Sequence, residues 1–241
     1  GRPPAVSGPG LMPLLRKVWG GSPARLVLRV ADPVGRGFIG PASPSARTGN
    51  PRELVVRPAL GRDHLRIDAV RRGDREWLAP WEATMPPEAD EPVPAIAEYC
   101  SRIDREQREG RTLMLVVEAD GKVVGQYSLS NVQRGAMSQG MLGYWLASSW
   151  SGRGLGALVA AMVIDLAIGE LGLHRVEVCV RPENERSLAL CRRLGLHEEG
   201  MRRRFMHIAG KWADHVAFSI DRESLPEGGL VVAKWGRGID E

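Results

Sequence analysis

Cysteine is scarce in this chain. Cys100, Cys179 and Cys191 are an odd number with no close pair, which excludes a disulfide framework and a zinc knuckle. The five histidines stand singly, none in the two-histidine helical spacing of a metal site, so no metal is expected. Long apolar runs are also missing. The longest, residues 157–164, is far too short to cross a bilayer. The first twenty residues have Pro13 inside their only apolar patch, with Arg16 and Lys17 directly behind it, so no segment of signal-peptide length is present there. The expectation is a cytoplasmic protein with no membrane partner.

What is present fits a globular protein, with 43% hydrophobic and 26% charged residues over 241 positions, enough for one ordinary domain plus an extension. The net charge of +4 is unevenly distributed: residues 1–52 carry +7 and the remaining 189 carry −3. A nucleic-acid enzyme would more often carry its positive charge on the folded body. The same first 52 residues hold nine Gly and nine Pro, a content that usually marks poorly ordered chain. We therefore read residues 1–52 as a basic extension, with one short strand possible at 25–30, residues 53–222 as the functional domain and residues 223–241 as a C-terminal tail.

From Glu53 the signals become regular. Residues 54–57 read as a strand closed by Pro58, 62–72 as a helix, 76–92 as an irregular segment broken by Pro80, Pro86, Pro87 and Pro92, and 94–109 as a second helix. Residues 113–118 and 123–129 flank Asp120 and Gly121 as a tight hairpin. A strand at 141–147 leads through Gly152, Gly154 and Gly156 into a helix at 155–171 that is apolar nearly all round and must be covered on most faces. A strand at 174–181, a helix at 187–194 and a hairpin at 201–208 and 212–220 complete the order. The fold class is α/β (α+β), with a mixed central sheet, antiparallel in its first half, and helices on both faces.

Residues 151–156, SGRGLG, lie where a strand hands over to a helix. Glycines let a backbone approach a ligand closely, and free N–H groups at a helix start attract a pyrophosphate. The run could equally be a solvent loop. It lacks the Lys-Ser/Thr of a P-loop, and no G-x-G-x-x-G follows the strand. Downstream, Asn184 and Ser187 open the next helix, where either would serve as an ordinary N-cap.

Five passages together resemble the GCN5-related N-acetyltransferases (GNAT), and within them the RimJ branch, which acetylates the N-terminal alanine of a ribosomal protein. They are APWEAT at 79–84, LSNVQRG at 129–135, GYWLASSWSGRGLG at 143–156, HRVEVCVRPENERSLALCRRLGLHEEG at 174–200 and GKWADH at 210–215. The resemblance implies a GNAT fold and acetyl-CoA as cofactor. The pyrophosphate would lie on Ser151, Gly152, Arg153, Gly154, Leu155, Gly156 and Ala157, and the pantetheine arm along Trp145, Leu146 and Ala147 and against Asn184. Ser151 stands where the family usually has Gln or Arg, so a side-chain contact would be lost. Cys191 stands where relatives carry a tyrosine that protonates the leaving thiolate, which makes Ser187 the better general acid or thiolate stabiliser.

Transfer also needs an unprotonated amine. Two carboxylate positions used by relatives hold Met141 and Cys179, leaving Glu82 and Glu177; Glu82, in the irregular segment, is favoured as the base or amine contact. Trp81, Glu82, Asn131 and Tyr144 are expected on the acceptor side, while Trp77 and Trp145 would line the pocket or simply pack. Arg202, Arg203 and Arg204 read as a solvated strand edge or a contact with ribosomal RNA. The expected function is transfer of acetyl from acetyl-CoA to a protein N-terminus. The alternatives are a small-molecule amine acetyltransferase, for an antibiotic, polyamine or amino acid, and a non-catalytic acyl-CoA- or ribosome-binding module. Either a monomer or a homodimer is compatible, with ribosome contact through the basic extension.

Overall fold

The computed structural model describes residues 18–20, 23–46 and 48–240. Its eight strands are β1 (Leu28–Ala31), β2 (Glu53–Pro58), β3 (Leu113–Ala119), β4 (Lys122–Gln133), β5 (Gln139–Leu146), β6 (Arg175–Val180), β7 (His197–Ile208) and β8 (Lys211–Asp221). They form one sheet in the order β1-β2-β3-β4-β5-β6-β8-β7. Neighbours are antiparallel except β5 and β6, which run parallel for only three residue pairs, from Gln139 opposite Arg175 to Met141 opposite Glu177. Beyond Met141 the two strands separate, and the sheet opens as a wedge.

Helices cover both faces. On one, α1 (Asp63–Gly73), the short α2 (Arg75–Leu78) and α3 (Ile96–Arg108) follow β2, and Ile67 and Ile103 pack on Met114 and Val116 of β3. The other face carries α4 (Leu155–Asp165), α5 (Glu185–Arg193) and α6 (Gly229–Trp235). Both sides of β3 are therefore covered, and all seven of its residues are buried. Where the sequence predicts one helix at 155–171, the α-helix ends at Asp165 and a wider turn, Leu166–Glu170, follows. Asp165 is used elsewhere: its carboxylate accepts the N–H groups of Leu230 and Val231 at 2.7 and 3.0 Å and so caps α6.

The expected separation of residues 1–52 from the body is corrected by the packing. Trp19, Leu26, Val30, Phe38 and Ile39 are all buried in the main core, and β1 extends the sheet beside β2. The Trp19 indole donates to the Gln107 carbonyl at 3.1 Å, and the Gly40 N–H donates to the Arg153 carbonyl at 2.7 Å. Three of the extension's arginines are paired with the body, Arg25 with Glu170, Arg29 with Glu53 and Arg36 with Asp240. The tail is likewise part of the packing, with Leu230 and Val231 buried and the Trp235 indole donating to the Phe38 carbonyl at 2.9 Å. Pro and Gly content measured over a whole segment conceals a few large apolar side chains, and those decide where the segment goes.

Between β2, α1 and β3 lies a buried charge network: Arg57 bonds Asp63 at 2.7 Å and Glu118 at 2.9 Å, and Arg66 bonds the same two carboxylates. Burial alone would raise the Asp63 carboxyl, but the Arg57, Leu60 and Arg66 hydrogen bonds hold it below its ordinary value. A lowered folded-state pKa contributes stability above the unfolded value of about 3.9, lost as pH falls through the folded one. Asp63→Asn is expected to cost about 3 kcal/mol at neutral pH by leaving Arg57 buried with half its partners. In denaturant titrations the cost should shrink as pH falls below about 4, where the unfolded chain's carboxyl takes up a proton, and vanish below the lowered folded value.

Candidate active site

The wedge between β5 and β6 opens into a cleft of about 1010 Å³. One half is formed by the end of β5, the turn at 148–154 and the first turns of α4 and α5; the other by α1, α3 and the 77–94 segment.

In the first half the backbone prepares an anion site. Gly152 and Gly154 have φ of 76° and 82°, the left-handed region that favours glycine, and α4 starts at Leu155 with no side chain capping its N–H groups. At Gly156 a Cβ would come within 3.2 Å of Leu190 Cδ1 and 3.8 Å of the Tyr127 hydroxyl, so a side chain there would crowd the floor of the cleft. An uncapped start of an 11-residue helix, bare of side chains and open to a cleft, fits a pyrophosphate.

Of the residues expected to hold the cofactor, Trp145, Leu146, Ala147, Ser151, Gly152, Gly154, Leu155, Gly156, Ala157, Asn184 and Ser187 all line this cleft. Arg153 does not: its guanidinium turns away, donates to the Gly40 carbonyl at 3.1 Å and stacks over Trp150. Ala147 cannot offer its N–H to an acyl oxygen, since that N–H already donates to the Val124 carbonyl at 2.8 Å. Asn184 does cap α5, its Oδ1 accepting the Ser187 N–H at 3.2 Å, which leaves its Nδ2 as a donor for the cleft.

Two arginines invisible to motif reading complete this half. Arg186 reaches Ser151 Oγ at 3.0 Å and stacks on Trp77 at 3.8 Å. Arg193 brings a guanidinium nitrogen within 3.6 Å of where a Cβ on Gly154 would stand. A positive side chain thus reaches the mouth of the cradle from α5 although Ser151 supplies none. The seven-residue spacing of Arg186 and Arg193 places both on one helical face, which is the signal that could have found them.

Ser187 is buried, and among the described residues its hydroxyl meets only the hydroxyl of Tyr144. Tyr144 stacks on Tyr127 with ring centroids 5.0 Å apart, and burial pushes its phenol well above the ordinary value. Tyr144, expected on the acceptor side, lines the same cleft with its hydroxyl on Ser187. Cys191 is fully buried, its thiol pushed up to about 12 by burial, and it does not reach the cleft.

The second half contains Trp81 and Glu82, as expected. Trp81 lies under Arg181 at 5.7 Å, and Glu82 is 3.6 Å from the Arg71 guanidinium. The hairpin fixes this segment: Ala83 bridges Ile208, and Thr84 Oγ1 meets His207 Nδ1 at 2.8 Å. Three apolar side chains, Met85, Val93 and Ile96, form an exposed lip. His64, Ile67, Asp68 and Arg71 of α1 face the cleft at helical spacing, opposite Tyr99 and Arg102 of α3.

Asn131 is not among them; it lines a separate cavity of about 390 Å³ with Met141 and Glu177. Glu177 is held there by Arg175 at 2.9 Å and Arg202 at 2.8 Å, which keep its carboxyl below the ordinary range despite burial. A carboxylate so held is a poor proton acceptor. Arg202 is thereby a structural partner of Glu177 rather than part of a free basic strip.

A family model described as an acetyltransferase (GNAT) domain matches residues 53–197. The ribosomal protein uS5-alanine N-acetyltransferase of Escherichia coli is 31% identical over 168 residues, 68% of this chain and 84% of that protein. Among solved structures, Mycobacterium smegmatis RimJ in complex with CoA-disulfide is similar at 34% identity with a TM-score of 0.68, covering 83% of this chain and 94% of that one. A spermidine N(1)-acetyltransferase of E. coli is 26% identical over 134 residues, 54% of this chain and 70% of that protein.

Proposed function

Because the chain belongs to the acetyltransferase (GNAT) family, its cofactor is acetyl-CoA and its activity N-acetyl transfer, and we propose that the acceptor is the α-amino group of a protein N-terminus, that of a ribosomal protein beginning with alanine. The observation that carries the choice of acceptor is the charge balance of the second half of the cleft. Its two carboxylates, Asp68 and Glu82, face two guanidiniums, Arg71 and Arg102, and Asp68 is already bonded to Arg71 at 2.9 Å. A polyamine carries several positive charges and needs an acidic channel; a peptide brings one ammonium followed by neutral backbone. The apolar lip of Met85, Val93 and Ile96 suits the side chains that follow. The similarity to ribosomal protein uS5-alanine N-acetyltransferase supports the same reading.

Acetyl-CoA, when bound, supplies the acyl group as an activated thioester. The chain's residues do the rest. Gly152 and Gly154 leave the cradle open at the start of α4, and Arg186 and Arg193 add positive charge at its mouth. Glu82, on the acceptor side, takes the proton that the ammonium must lose, directly or through water, and Ser187 presents a hydroxyl toward the thioester sulfur. An α-amino group, with a pKa of about 7.7 to 8.0 against about 10.4 for lysine, asks little of that base. Such an enzyme would work in the cytoplasm, where nascent ribosomal proteins meet acetyl-CoA.

Intact-mass spectrometry of ribosomal proteins from cells with and without the enzyme tests the acceptor. One chain gaining a single acetyl group is the expected result; acetylation of spermidine with no change in any protein would overturn it. Glu82→Gln is expected to lower kcat about 10²-fold, with the loss shrinking as pH rises above the amine pKa. An equal loss at every pH, confined to KM, would reduce Glu82 to an anchor for the ammonium.

A further inference from the structure

Cys191, which the resemblance sets where a tyrosine would protonate the leaving thiolate, is buried away from the cleft. A phenol is nevertheless present, delivered from another element: Tyr144, on β5, meets Ser187 on α5. We propose that Tyr144 is a positioning residue for the acetyl transfer, fixing the Ser187 hydroxyl so that its proton points at the thioester sulfur. The proposal rests on the assignment of Ser187 to that sulfur.

The direction of the bond follows from elementary hydrogen-bond accounting. Each hydroxyl has one proton, and among the described residues neither has another partner. A phenol is the more acidic and stronger donor, and Tyr144 is packed between Tyr127 and the α5 helix. Both side chains line the cleft, so the greater acidity of the phenol, and not burial, chooses the donor. Tyr144 therefore donates to Ser187 Oγ, and the Ser187 proton is left for the cleft. Such a chain polarises, strengthening the outer donor.

Tyr144 itself is held twice over. Its ring lies 13° from parallel with that of Tyr127, and the Tyr127 hydroxyl donates to the Gly156 carbonyl at 2.8 Å, tying the pair to the first turn of α4. The anion cradle and the sulfur site are thus fixed by one stack of two rings.

No proton is lost or gained by Tyr144 in this scheme. The amine lone pair forms the C–N bond, the C–S pair leaves with sulfur, and the proton given up by nitrogen balances the charge left on sulfur. Ser187, oriented by Tyr144, stabilises that charge while it develops.

The test is a titration of the thiol of CoA bound to the full-length protein, followed by ultraviolet thiolate absorbance, in wild type, Tyr144→Phe, Ser187→Ala and the double variant. Tyr144→Phe keeps the ring and its stack on Tyr127, and an unchanged melting temperature would show that the fold is intact. The expected result is a bound thiol that ionises below its free value in wild type and about one unit higher in Tyr144→Phe. CoA affinity should stay within about threefold, and the double variant should be no worse than Ser187→Ala. A thiol unaffected by Tyr144→Phe but raised by Ser187→Ala would overturn the role of Tyr144 and leave Ser187 in place. If neither variant moved the thiol, both assignments would fall together. An enzyme that showed the thiol shifts but acetylated no protein N-terminus would leave this inference standing and remove the proposed acceptor.

Discussion

Removing residues 1–40 is expected to abolish folding of the enzyme at physiological temperature. The segment contributes Trp19, Leu26, Val30, Phe38 and Ile39 to the main core, each buried to 6% exposure or less. Burying a large apolar side chain is worth about 1.5 to 3 kcal/mol, so five amount to about 10 kcal/mol, as much as the whole net stability of a typical domain at about 5 to 15. Deletion would also bare the edge of β2. Circular dichroism and size-exclusion chromatography of the truncated chain decide the matter. A soluble, cooperatively melting product within a few degrees of wild type would mean that the segment is an appendage after all.

The second large effect concerns the cofactor. Gly154→Asp should weaken CoA binding about 10³-fold, because a carboxylate at the uncapped start of α4 competes for the same N–H groups and repels the pyrophosphate. It would also lie beside the Arg193 guanidinium and draw that charge away from the ligand. Asp tolerates the left-handed backbone better than most residues, and its charge suits a helix N-terminus, so the strain of replacing glycine at a φ of 82° should lower the melting temperature by only a few degrees. Loss of the ligand with retention of the fold is the signature to be sought by calorimetric titration beside a thermal melt. Undiminished affinity in the folded variant would remove the cradle assignment.

The strand and helix order from residue 53 onward was legible because local signals agreed: turn glycines, alternating β residues and helical apolar stripes fell in succession. The cofactor half of the site was legible for the same reason, since a cradle made of backbone leaves its mark as glycines at fixed spacing. Two things escaped. One was the integration of the N-terminal segment, where proline and glycine outweighed five large apolar residues in the average. The other was anything decided by side-chain direction across elements. Tyr144 turning to Ser187, Arg186 arriving at Ser151 and Arg153 turning to Gly40 each depend on two segments far apart in sequence meeting in space. Asn131, by contrast, follows the strand on which it was quoted, but the wedge places that part of β4 beside a different cavity.

The interlocking of the two ends of the chain bears on how the protein is made. Arg29 bridges Asp240, Arg36 is paired with Asp240, and the Trp235 indole holds the Phe38 carbonyl. The same early segment reaches the glycine turn through Gly40 and Arg153. During synthesis β1 therefore waits for Asp240, more than two hundred positions later, before its last partner exists. Folding of this segment ends only once residue 240 has left the ribosomal tunnel. The cofactor site should thus be completed only after residue 240 has emerged, with a lag set by the docking of residues 235–240 on residues 29–38.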